Sequence, residues 1–111
     1  MDAEISPRSS MENKLFVYGT LTNPEIQQRV FGRVAQVVPD VLKGYSKSGI
    51  EVDGEKYPLI IPNEGEKIEG SVIDVTNSEL RSIDEYETDA YERIKVVLES
   101  GMPAWCYVKN K

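Results

Sequence analysis

A chain of 111 residues, 40% of them hydrophobic and 29% charged, is the size of one globular domain with a single core. Its 13 basic and 19 acidic side chains leave a net charge of −6, which argues against nucleic acid or an anionic membrane as a main partner. With no histidine and one cysteine, Cys106, the chain has no means of serine–histidine or cysteine–histidine catalysis, zinc binding through histidine or an internal disulfide. Acid–base work falls to Asp, Glu, Lys or Tyr.

Residues 1–13 are polar and without periodicity, and read as a mobile tail ahead of a single domain over 14–111. No apolar stretch is long enough to span a bilayer and no signal-peptide segment is visible, so a cytoplasmic protein is expected. No EF-hand loop or other recognisable metal-ligand spacing occurs, and neither a metal nor a cofactor is expected.

Leu15-Phe16-Val17-Tyr18 is a nearly continuous apolar run of the kind found in a central strand buried on both faces, and Gly19 stops it. Thr22 and Glu25 have capping-box spacing around Pro24, which predicts a helix carrying Ile26, Val30 and Phe31 inward and ending near Gly32. From Val34 to Val52, apolar clusters broken by Pro39, Gly44 and Gly49 predict short strands, one with Val34, Val37 and Val38 and another with Val41, Leu42 and Tyr45. Asp53-Gly54 is a hairpin signal. Tyr57–Pro62 reads as an edge or rim strand because prolines bracket it, Asn63–Glu66 as a turn, and Ile68–Val75 as a further strand.

Thr76-Asn77-Ser78-Glu79 is a second capping box, opening a helix that Thr88-Asp89-Ala90 breaks. Tyr91–Glu99 and Pro103–Val108 are strands about a turn at Ser100-Gly101. The second puts Trp105 and Tyr107 on one face and Ala104, Cys106 and Val108 on the other. About seven strands and two helices predict an α+β domain with a mixed, largely antiparallel, barrel-like sheet.

Two stretches stand out chemically. Tyr18-Gly19-Thr20-Leu21 joins a buried strand to a helix start, where converging backbone N–H groups favour an anion; a plain turn glycine accounts for the same residues. Glu87 lies four residues after Ile83 and seven after Leu80, on the apolar face of its helix. Burial, the helix C-terminus and the nearby Asp84, Glu85 and Asp89 should all raise its pKa, as suits a general base or acid. The alternative is a glutamate at a fraying helix end that turns to solvent or pairs with Arg93 or Lys95. Tyr91 and Arg93, two apart on a strand, share a face and could line a site or anchor a carboxylate, although a solvent-facing pair fits the same spacing. Cys106 reads as a buried inert thiol.

Leu15–Leu21, followed by Ile83-Asp84-Glu85-Tyr86-Glu87 and then Tyr91-x-Arg93, resembles the pattern of the gamma-glutamylcyclotransferase-like family: a Y-G-[ST]-L loop and a later L-D-x-[FY]-E segment. The resemblance covers about residues 14 to 108. Ile83 replaces the usual leucine, and Thr88 stands where many members have glycine, so the turn after Glu87 is expected to differ in shape. The resemblance implies a small mixed α/β barrel with no cofactor. It implies that a small γ-glutamyl compound cyclises to 5-oxoproline and releases an amine. It further implies that Glu87 is the catalytic residue, that Tyr18, Gly19, Thr20 and Leu21 line the substrate cavity, and that Tyr91 and Arg93 help to bind the substrate. A binding protein for an acidic small metabolite, using the same cavity without turnover, is the alternative.

Overall fold

A computed structural model describes residues 13–52 and 55–109, with the side chains of 49–52, 55–58 and 109 left out. Residues 1–12 of the expected 1–13 tail and the Asp53-Gly54 turn lie outside the described residues, whereas Asn13, also expected in the tail, opens the first strand by pairing with Val75.

The described residues form β1 (Asn13–Val17), a 3-10 turn (Thr20–Thr22), α1 (Pro24–Phe31), β2 (Val38–Val52), β3 (Glu55–Val75), α2 (Asn77–Glu87), β4 (Tyr91–Val97) and β5 (Pro103–Lys109). The five strands make one sheet in the order β2-β3-β1-β5-β4. Only β1–β5 is parallel; β1–β3, β2–β3 and β4–β5 are antiparallel. The expected mixed, largely antiparallel α+β fold is present. β1 is central, and its Leu15, Phe16 and Val17 are buried, as a strand covered on both faces must be.

Five strands replace the expected seven because turn signals inside β2 and β3 do not reverse the chain. Lys43 pairs with Lys67 and Tyr45 with Pro62, so Asn63–Glu66 lies opposite Gly44 alone. The segment bulges where a turn was expected, and both of its flanks stay on β2. Val34 and Val37 precede β2 and belong to no strand. Pro39 sits on the sheet's edge strand, and Pro58 and Pro62 fall in the part of β3 that pairs with β2 but not with β1, where a missing N–H is tolerated.

Alternation along the strands builds two cores. Phe16, Leu42, Ile60, Ile68, Val72, Val96, Ala104, Cys106 and Val108 fill the concave side. Leu15, Val17, Ile73, Val75 and Tyr107 face the helices and meet Leu21, Leu80 and Ile83. Ile26, Val30 and Phe31 pack against this second core, as expected of α1.

The α1 cap differs from the expected one. Asn23 accepts the Glu25 N–H at 2.8 Å, whereas the Thr22 hydroxyl donates to the Gly19 carbonyl at 2.6 Å. Gly32, at φ 81°, closes the helix in the left-handed region. The α2 capping box forms as expected between Thr76 and Glu79. Glu79 also takes a two-pronged contact from Arg33, at 2.7 and 2.8 Å, which ties the end of α1 to the start of α2. No helix among the described residues is long and apolar enough to cross a membrane.

Candidate active site

The strand-to-helix junction expected from Tyr-Gly-Thr-Leu is a tight one. Thr22 N–H donates to Gly19 C=O at 3.0 Å and Asn23 N–H to Thr20 C=O at 2.9 Å. The N–H groups of Gly19, Thr20 and Leu21 remain outside these turn bonds. Beneath the loop, the buried side chain of Gln27 donates to Leu21 C=O and accepts from Ala35 N–H, each at 2.8 Å. This brace gives the loop a fixed floor. Nothing local in the sequence marks Gln27 for this role, because a single polar residue in an amphipathic helix reads as surface.

Glu87, at the last position of α2, comes back over this loop. Phe16, Val17, Tyr18, Gly19, Thr20, Leu21, Glu87, Tyr91 and Tyr107 line one small cavity of about 30 Å³. Of the seven sequence-predicted site residues, Tyr18, Gly19, Thr20, Leu21, Glu87 and Tyr91 are therefore brought together. Arg93 is not among the lining residues. Its guanidinium bonds Asp84 on α2 at 2.8 and 2.9 Å and lies over the Trp105 ring at 4.4 Å. A wider groove of about 480 Å³ adjoins the cavity: Tyr91 and Tyr107 line both, and Asp84, Glu85, Thr88, Asp89 and Arg93 complete it.

Burial pushes the Glu87 carboxyl up to about 7 from 4.5. Among the described residues it makes no ion pair and no side-chain hydrogen bond. It does not take the alternative expected at a fraying helix end, pairing with Arg93 or Lys95, since Arg93 is held by Asp84 and Lys95 lies over Trp105. Asp84 was expected to add like charge. Burial would raise its own pKa, but the Arg93 and Tyr107 hydrogen bonds outweigh this and hold it below the usual carboxylate range.

The tyrosines are also committed. Tyr18 donates its hydroxyl to Tyr107 C=O at 2.5 Å, so its oxygen is left to the cavity only as an acceptor. Burial raises the pKa of both Tyr18 and Tyr107 far above ordinary phenols. Thr20 Oγ1 and Tyr86 Oη, 3.0 Å apart, join the loop to α2 at the protein surface. Cys106 is fully buried and its thiol is pushed up to about 12, in keeping with an inert core residue. Among the described residues, no cluster of carboxylates or thiols is placed to hold a metal ion.

Thr88, directly after Glu87, has φ 63° and ψ −168°, a conformation at home in glycine. A β-branched residue there stores roughly 1–3 kcal/mol of strain. Thr88→Gly removes that strain and returns part of it as unfolded-state entropy, so a net gain of about 1 kcal/mol is expected. Calorimetry should show a melting temperature about 5 °C higher. An unchanged or lower value would contradict the strain.

The family model described as gamma-glutamyl cyclotransferase, AIG2-like, matches residues 15–111. AIG2-like protein B of Arabidopsis thaliana is 34% identical over 92 residues, which are 82% of this chain and 52% of that protein. The chain spans about half the length of the curated relatives it matches. The solution structure of an Arabidopsis thaliana protein superposes with a TM-score of 0.75 at 31% identity, over 87% of this chain and 61% of that one. A gamma-glutamyl cyclotransferase structure, 18% identical, shares the fold with a TM-score of 0.71 over 89% of this chain and 67% of its own.

Proposed function

The chain belongs to the gamma-glutamyl cyclotransferase, AIG2-like family, and we propose that it closes the ring of a small γ-glutamyl compound, releasing 5-oxoproline and an amine. One observation carries the proposal. The Glu87 carboxyl, with its pKa raised to about 7, lines the same cavity as the Tyr18–Leu21 loop.

The nucleophile comes with the substrate, so the protein has to fold the γ-glutamyl group and move protons. Glu87, ionised, takes a proton from the α-ammonium. The freed nitrogen lone pair attacks the γ-carbonyl carbon, closing a five-membered ring and placing negative charge on the oxygen. Glu87 then delivers its proton to the leaving nitrogen, and the carbon–nitrogen bond of the amide breaks. Overall the attacking nitrogen loses two protons and the leaving amine gains two, departing as an ammonium. A carboxyl near pH 7 matches these transfers better than an exposed one, because it is both a stronger base and a usable acid.

The backbone N–H groups of Gly19, Thr20 and Leu21 would hold the substrate α-carboxylate or the oxygen that gains charge. The cavity has room for little more than a water. The substrate therefore extends into the groove that shares Tyr91 and Tyr107.

A panel of γ-glutamyl amines and γ-glutamyl peptides, assayed for 5-oxoproline, tests the proposal. Release from at least one member is the expected result. Saturable binding of a γ-glutamyl compound that is recovered intact, with no release from any member, would instead make this a binding protein.

A further inference from the structure

Beside the cavity lies a set of contacts that ring closure itself does not use. Asp84 stands three residues before Glu87 on α2. Its carboxylate accepts two hydrogen bonds from Arg93 on β4, at 2.8 and 2.9 Å, and one from the Tyr107 hydroxyl on β5. The Arg93 guanidinium is stacked on Trp105, which fixes its plane. Tyr107 also reaches the opposite wall: its carbonyl takes the Tyr18 hydroxyl, immediately before Gly19. One residue thus joins the strand that delivers the loop to the helix that delivers the glutamate.

Glu87 has no such tether of its own among the described residues, and the strained Thr88 follows it. Its place therefore depends on how firmly the last turn of α2 is held. Asp84 is poorly suited to carry protons itself, because two donors keep it ionised.

We propose that Tyr107 and Asp84, with Arg93 as counter-ion, are positioning residues that clamp the last turn of α2 to the sheet and so hold Glu87 over the cavity, facing the Gly19–Leu21 loop. The catalytic consequence rests on the proposed role of Glu87; the clamp itself can be measured without turnover.

Carboxyl carbon NMR gives the Glu87 titration midpoint directly, with the resonance assigned by its loss in Glu87→Gln. Among the described residues, the ionisable groups that line the cavity with Glu87 are Tyr18, Tyr91 on β4 and Tyr107 on β5, and Asp84, three residues earlier on the same helix, bonds Tyr107 behind them. Tyr107→Phe and Arg93→Gln both release the clamp while keeping the Asp84 charge. Water then reaches Glu87, and its midpoint should fall from about 7 by at least one unit toward 4.5. A purely electrostatic effect has the opposite sign, since either change leaves Asp84 less compensated and would raise the midpoint. With a substrate from the panel, kcat should fall at least about ten-fold while KM stays within about three-fold.

A midpoint that is unchanged or raised in both variants, each still folded by circular dichroism, would overturn the clamp. If Arg93→Gln fails to fold, Tyr107→Phe, which deletes one oxygen, decides. A lowered midpoint in a protein that releases no 5-oxoproline would support the clamp and count against the reaction.

Discussion

Glu87→Gln is expected to slow 5-oxoproline release by about 10²- to 10⁴-fold, the usual worth of a positioned general acid–base. The substitution keeps the size of the side chain and its hydrogen-bonding oxygen but removes the ability to take up a proton. The loss should appear in kcat, with KM changed little, because the γ-glutamyl group would still rest against the loop and the tyrosines. The same change should not harm the fold. Glu87 is half-buried and has no partner among the described residues, and a neutral amide costs less there than a carboxylate. Equal rates for the variant and the natural protein would remove Glu87 from the chemistry. A lower melting temperature in step with the lost activity would point instead to damage to the fold.

Gly70→Ala is expected to be the most damaging single methyl in the sheet. A Cβ on Gly70 would lie 2.5 Å from the Val17 carbonyl oxygen and 2.6 Å from the Phe16 ring. The first contact is backbone of the central strand and cannot swing away. The second is a ring at 1% exposure inside the concave core. Overpacking of this kind costs about 1–3 kcal/mol, and here β1 would have to shift, carrying Tyr18 and Gly19 with it. Urea denaturation should show a midpoint lowered accordingly. 5-Oxoproline release should fall even under conditions where the protein remains folded. A midpoint within error of the natural protein would mean that β1 and β3 separate easily, contrary to the contacts described.

Local chemistry made part of this structure legible. The apolar run of β1, the Thr76–Glu79 capping box and the alternation of β5 each depend on residues a few positions apart, and each formed as expected. Glu87 was legible for the same reason: helical spacing from Leu80 and Ile83 already placed it on the buried face. Thr22 and Asn23 could both cap α1, and the 3-10 turn before the helix took the threonine hydroxyl, leaving the cap to asparagine. Which of two adjacent caps is used depends on the preceding turn, not on either residue. Glycines and prolines in β2 and β3 read as chain reversals, but long-range pairing kept each strand continuous through a bulge. Arg93 was placed near the site as a possible carboxylate anchor. The carboxylate it holds is Asp84, a contact between residues nine apart on different elements that spacing alone could not show.

The dependence of 5-oxoproline formation on pH tests the role of Glu87 most directly. Its folded pKa is raised, so the ionised base is scarce at pH 5 and nearly complete at pH 8. With a substrate whose α-ammonium titrates well above this range, kcat/KM should climb between these limits with a midpoint near 7 and then level off. In Glu87→Gln the residual rate should lose that step. A profile flat from about pH 5 to pH 8, or the same step in the variant, would contradict Glu87 as the group that starts ring closure.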